Sequence, residues 1–152
     1  MIRVQAEPFD AAAELGRFTD ALANSGAVVS FTGVVRARRD AGEVCTLELE
    51  HYPGFTAKVI AGIEAEARRR FPLEDCLVIH RFGELAPGEP IVFVATAAEH
   101  RRGAFEAADY LMDRLKTEAP FWKREQRPEG AAWIEPREAD LRDRARWDEK
   151  VS

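Results

Sequence analysis

Apolar positions recur along this chain with two periods, and the switches between them lay out its elements. A β-rich run covers 2–5, after which Phe9, Ala12, Ala13, Leu15, Phe18 and Leu22 repeat at helical spacing over 9–23. Asn24-Ser25-Gly26 supplies the stop. AVVSFTGVV then reads as a strand that starts at Ala27 and ends at Arg36, and CTLELEHY over 45–52 alternates as a half-buried strand does. Between those two runs, ARRDAGE over 37–43 is a charged loop or hairpin tip. Pro53-Gly54 turns the chain into a second helix over 56–70. Strands over 77–82 and 91–97 flank ELAPGEP, whose Pro-Gly turn makes them an antiparallel pair. The longest helix is expected over 100–118, with Ala104, Phe105, Ala108, Leu111, Met112 and Leu115 as its apolar stripe. Short strands over 121–125 and 133–135 follow, and then a charged helical tail over 138–150. Strands and helices mix without strict alternation. This predicts an α+β fold with a mainly antiparallel sheet, in one domain over 1–152.

One stretch does not fit a simple period. LKTEAPFWKRE, from Leu115 to Glu125, sets Lys116 and Lys123 on either side of Ala119-Pro120-Phe121-Trp122. Seven residues on one helix would place both amines on the same side, but Pro120 lacks an amide donor and disfavours helix in the residue before it. The helix should therefore end near Ala119, leaving the two ammonium groups on opposite limbs of a chain reversal. Lys123 alternates with Trp122, so one of that pair faces the core and the other points away.

Composition narrows the function classes. The net charge of -5 argues against general nucleic-acid binding, which needs a basic field. Cys45 and Cys76 stand far apart with no CxxC, so they read as buried strand thiols in a reducing cytoplasm rather than a disulfide or zinc site. His51, His80 and His100 are too scattered to build a metal cluster, and no cofactor motif appears. MIRVQAEPFD lacks a signal-peptide core and no run approaches a membrane span, which predicts a cytosolic protein.

What chemistry there is lies in cations at element ends. His100-Arg101-Arg102 opens the longest helix, where free amides already carry partial positive charge. That arrangement is costly without an anion and well suited to a phosphate. The competing reading is a solvated cluster paired with Glu99 and Glu106. Arg36 ends an apolar strand, with Arg38 and Arg39 beside it, and alone it is a weak signal. From Arg114 to Arg127 basic residues outnumber acidic ones, and crowded cations beside apolar groups lower a lysine's pKa and free its amine. Spacing alone still favours solvated lysines over a site.

The wider text changes that balance. GAVVSFTGVVR, LELEHYPG, VIHRFGELAPGE, AEHRRGAFEAADYLMDRLKTEAPFWKRE and WIEPRE together resemble the large, catalytic subunit family of molybdopterin synthase, over most of the chain. The resemblance implies an α/β hammerhead with a small extra β subdomain. It also implies conversion of cyclic pyranopterin monophosphate to molybdopterin, a step of molybdenum cofactor biosynthesis. Two sulfurs arrive from the thiocarboxylated C-terminus of a ubiquitin-like small subunit. Because this chain ends in EKVS, that donor is expected to be another polypeptide, in a heterotetramer built on a homodimer of the large subunit. No nucleic acid, membrane, metal or further cofactor is expected.

Carried over by position, Lys116 matches the family's catalytic lysine and Lys123 the second essential one. His100 and Arg101 match the substrate-binding pair, and Arg36 the binding arginine after GVV. Phe31 and Met112 fall on pocket positions, and Arg137 on the arginine of WIEPRE. Arg124 stands where a second lysine is usual, keeping the charge with a different donor geometry. Ala37 replaces a common Asn and Phe55 a common Met, which bears on loop contacts and not on the lysine or His-Arg pairs. The expected division has Lys116 as acid/base and Lys123 holding anionic oxygens, with the reverse open. The alternatives are a phosphoanion-binding scaffold of the same fold without catalysis, and an RNA-binding domain, which the acidic balance disfavours.

Overall fold

The structure, a computed structural model, describes residues 1–39 and 42–148. The chain opens with β1 (Ile2–Gln5) and α1 (Ala11–Asp20), then runs through β2 (Ala27–Val34) and the antiparallel pair β3 (Arg38–Arg39) and β4 (Gly42–Glu43). Next come β5 (Thr46–His51), α2 (Phe55–Arg70), β6 (Leu73–Arg81), β7 (Gly83–Leu85) and β8 (Pro90–Ala98). The chain continues with α3 (Arg101–Glu118), β9 (Phe121–Arg127), β10 (Gly130–Ile134) and α4 (Glu138–Ala145). The fold is α+β, as the patterning predicts.

Two four-stranded sheets carry it. The first has the order β1-β6-β8-β2 and the second β10-β9-β5-β7, with the β3-β4 pair apart from both. Only β1 against β6 is parallel among these pairings. Alternation along β6 and β8 splits the core of the first sheet. Leu77, Ile79, Phe93, Ala95 and Ala97 face Phe18 and Leu15 of α1, while Val78, Val92 and Val94 face Ile60 and Ile63 of α2 and Leu111 and Leu115 of α3. Covering both faces is why these strands read as nearly unbroken apolar runs. The second sheet closes a smaller core from Val35, Leu47, Leu49 and Leu85, with Phe121 and Ile134 against it.

Several element boundaries differ from the sequence expectation, each for a local reason. The helix expected over 9–23 begins only at Ala11, because the Asp10 side chain accepts from the Ala13 amide as an N-cap. β6 starts four residues before the expected 77, since its first three residues are partly exposed and carry no apolar signature. ELAPGEP is more than a turn. Gly83 takes a φ of 91° and releases the chain from the first sheet into β7, which pairs with β5 through Leu47↔Leu85. β6 and β8 nevertheless pair antiparallel, with Leu77 opposite Ala95. Cys76 is a buried strand thiol as expected, but Cys45 lies exposed just before β5. In the 37–43 stretch Arg38–Arg39 and Gly42–Glu43 pair antiparallel, while residues 40 and 41 lie outside the described residues, as does the end of the expected tail helix.

Pro120 acts as the sequence predicts. Ala119 caps α3 in an extended conformation, with its amide reaching Leu115 O at 3.3 Å, and β9 begins at Phe121. The fully buried Thr56 braces this corner: its hydroxyl donates to Pro120 O at 3.2 Å and accepts from the Tyr52 amide at 3.0 Å.

Candidate functional site

A cleft of about 590 Å³ opens where α3 crosses the edge strand β2 and meets α4. Phe31 of β2 lines one side, Met112 and Lys116 of α3 lie one turn apart along the second, and Asp140 and Asp143 of α4 form the third. Three residues singled out from sequence thus come together, with Phe31 lying 81 or more positions before the other two. Phe31 is 41 % exposed and registers with Val94, so a large apolar ring stands at the rim of the core face. The Lys116 side chain is half exposed, with Nζ 3.9 Å from Asp140 Oδ1.

The acidic wall is the part that sequence reading missed. Asp113 is buried and accepts from Trp147 Nε1 at 2.6 Å and Arg146 Nη2 at 2.7 Å. Arg146 also reaches Asp109 at 2.8 Å, so one guanidinium neutralises two carboxylates of α3. Trp147 is itself buried, edge-on to Phe71 and Tyr110, and its carbonyl accepts from Arg70 at 2.7 Å. This plug fastens α4 along α3 and so sets Asp140 beside Lys116. The available signal was Trp147 itself, a lone aromatic in a charged tail.

Lys123 lies outside that cleft lining. It sits in mid-β9 opposite Leu49 of β5 and Ile134 of β10, half-buried on the face where Leu49 is buried. Trp122 is the exposed member of the pair, bonded through its indole N–H to the Tyr52 hydroxyl. Arg124 points to the outer face, ion-paired with Glu48 and lying 5.5 Å over the Trp133 ring. The Glu48 carboxylate raises its already high pKa further.

The remaining cations stand at the surface. His100 is the N-cap residue of α3, makes no capping bond with its side chain, and has Nε2 3.5 Å from Glu99. Arg101 is exposed beside it, and Arg102 pairs with Glu106 at 3.7 Å. Both local carboxylates anticipated as partners are therefore engaged, loosely. Arg36 is exposed just past β2, and Arg137 is exposed as the N-cap residue of α4. Among the described residues, no three His, Cys, Asp or Glu side chains gather as metal ligands. No helix among them is long and apolar enough to cross a membrane.

Fold and site define an α+β protein with a lysine-bearing cleft where its longest helix gives way to a second sheet. A family model described as "MoaE protein" matches residues 4–118. The chain is 53% identical over 146 residues to the molybdopterin synthase catalytic subunit of Cereibacter sphaeroides, covering 96% of this chain and 99% of that one. It is 56% identical over 122 residues to the Escherichia coli subunit of the same name, covering 80% and 81%. Among solved structures, the molybdopterin biosynthesis MoaE protein of Burkholderia ambifaria superposes with a TM-score of 0.83 at 44% identity, covering 97% of each chain. Molybdopterin synthase from Staphylococcus aureus superposes at 0.80 and 31%, covering 88% of this chain and 96% of that one. The chain belongs to the MoaE family. Its activity is that family's, the sulfur transfer of molybdopterin synthase in molybdenum cofactor biosynthesis.

Proposed function

We propose that this chain converts cyclic pyranopterin monophosphate to molybdopterin, with Lys116 and Lys123 as its catalytic residues and a thiocarboxylated, ubiquitin-like small subunit as sulfur donor. The observation that carries the reading is the meeting of Phe31, Met112 and Lys116 on one cleft, from β2 and α3. In each transfer the thiocarboxylate sulfur bonds to a pterin side-chain carbon as a carbon–oxygen bond at that carbon breaks, the oxygen leaving on the phosphate in one transfer and, once protonated, as water in the other. Water then cleaves the acyl–sulfur link, leaving sulfur on the pterin and a carboxylate on the donor. Attack and hydrolysis both need proton transfer and stabilisation of developing negative charge. Lys116, half exposed on an unbranched stem, has the freedom to move protons within the cleft. Lys123, half-buried in β9, is the better fixed point charge for an oxyanion.

His100, Arg101, Arg36, Arg137 and Arg124 are assigned to the anionic substrate. The free amides at the start of α3 support this for the first two, because a phosphate there satisfies amide donors and adjacent cations together. A homodimer carrying one small subunit at each end belongs to the same proposal, as does a cytoplasmic setting, which the free thiols of Cys45 and Cys76 support.

The test mixes the chain with thiocarboxylated small subunit and precursor and assays molybdopterin. Lys116→Ala and Lys123→Ala are each expected to lose about 100-fold or more in turnover, the usual worth of a positioned proton-transfer group. Equal product from wild type and Lys116→Ala would overturn the assignment and leave an anion-binding scaffold.

A further inference from the structure

Of the three histidines, His80 alone is buried, and the reaction as described does not use it. It lies near the end of β6, opposite Val92 of β8, two residues before the chain leaves the first sheet for β7. Strand alternation puts it on the same face as Val78, toward α2 and α3.

Its ring is held on two sides. The face stacks on Phe121 of β9, with centroids 4.0 Å apart and planes 16° from parallel, so the contact bridges the two sheets. At the edge, Nδ1 lies 2.9 Å from Arg81 O. A carbonyl oxygen only accepts, so Nδ1 carries the proton and Nε2 is left as an acceptor. Next to it, His51 stacks on Phe82 at 3.7 Å and registers with Phe121, giving the sheet junction a second histidine–phenylalanine pair.

Lys123 follows Phe121 by two residues and so shares its face of β9. Its charge reaches the imidazole: burial pushes His80 down to about 4 against the opposing bond to the Arg81 carbonyl, and the Lys123 ammonium adds a smaller push the same way, so the ring is neutral at physiological pH. The other nearby cation, Arg81, is turned away to Ala6 O at 2.9 Å and to Glu89 at 3.0 Å. An acceptor nitrogen in a fixed ring, stacked on Phe121, and a donor-only ammonium two residues along the same face of β9 thus lie on the same junction of the two sheets.

We propose that His80 is a positioning residue for Lys123: its ring, clamped between the Arg81 carbonyl and the face of Phe121, presents Nε2 to the ammonium and fixes where that amine stands. The proposal rests on Lys123 taking part in the chemistry, and it adds the group that holds Lys123 in place.

The experiment uses the full chain and two substitutions. His80→Phe keeps the stack and removes Nε2, whereas His80→Gln returns an acceptor near the same place. Acetic anhydride labelling across a pH series, read by peptide mass spectrometry, follows Lys123 with Lys116 as internal reference. His80→Phe is expected to change the Lys123 labelling rate by about tenfold, the worth of one hydrogen bond to a charged group, and to leave Lys116 alone. His80→Gln should return Lys123 toward the wild-type profile. In the sulfur-transfer assay His80→Phe should lower kcat by about the same factor at unchanged KM. Unaltered Lys123 labelling in His80→Phe overturns the proposal. So does a parallel change at both lysines in both variants, which marks general loosening. Altered Lys123 labelling with full turnover upholds the positioning role and removes Lys123 from the catalytic set instead.

Discussion

Lys116 and Lys123 are separated by one proline corner, and their surroundings differ in nearly every respect. Lys116 ends a helix packed on the first sheet, half exposed, with a carboxylate of α4 at 3.9 Å. Lys123 stands on the inner face of the second sheet between Leu49 and Ile134, on the face of β9 shared with Phe121, against which the buried, neutral His80 stacks. One amine borders an open cleft and is balanced by charge. The other is held by packing and a polar ring. Residue type alone therefore does not set what a lysine can do; the element delivering it does. The helix end gives Lys116 reach, and the strand gives Lys123 a fixed place.

The contrast breaks most readily under substitution with arginine, which keeps charge and adds bulk. Lys116→Arg is expected to keep the melting temperature, since its site is open, while turnover falls by about 100-fold because the planar fork cannot act as the amine does. Lys123→Arg should lose turnover similarly and also destabilise by about 1–3 kcal/mol through overpacking against Leu49 and Ile134. Equal melting temperatures for the two variants would show that Lys123 is not packing-limited. Next in size is the α4 plug on the Lys116 side. Trp147→Ala removes a buried ring and the Asp113 bond, at about 3–5 kcal/mol. Because the loss is local, it should appear as faster amide exchange in α4 with β6 and β8 still protected.

On the Lys123 side the matching probe is pH. With His80 near 4 when folded and about 6.5 when unfolded, both states are neutral above pH 6.5 and the full stability is present. As pH falls from 6.5 to 4, the unfolded chain binds a proton that the folded chain refuses. Stability should then drop by up to about 3 kcal/mol, with no further loss from this group below pH 4. Denaturant titrations across that window should show the slope in wild type and a flatter one in His80→Phe. Smaller again is the corner between the lysines. Thr56→Val keeps the shape but strands the Tyr52 amide, and Pro120 O loses its donor, for about 1–3 kcal/mol by thermal melting.

How much of this was legible beforehand follows the same divide. α3 was placed within a residue, because its apolar stripe is long and Pro120 marks its end. Met112 and Lys116 could be set on one helix edge from spacing alone. β7 was hidden inside a Pro-Gly turn, since three residues carry no period and only pairing with β5 reveals them. The acidic wall of the cleft was invisible for a different reason. Asp109, Asp113, Asp140 and Asp143 sit in two helices whose docking depends on Trp147, and no local pattern announces a helix–helix contact of that kind. His80 was likewise discounted as a scattered histidine, because its partners Phe121 and Lys123 come from the other sheet.

The smallest expected effect is the most direct measure of how open the Lys116 side is. At 3.9 Å, with the Lys116 side chain half exposed and that of Asp140 21% exposed, the pair has Coulomb attraction weakened by water and an entropy cost for ordering two side chains. Asp140→Asn should therefore destabilise by no more than about 1 kcal/mol at low salt. The difference should shrink toward zero near 1 M salt, where the screening length is about 3 Å and shorter than the separation. Paired thermal melts at the two salt concentrations read this out. A salt-independent loss of several kcal/mol would place the pair in a dry site, and Lys116 would then be as fixed as Lys123.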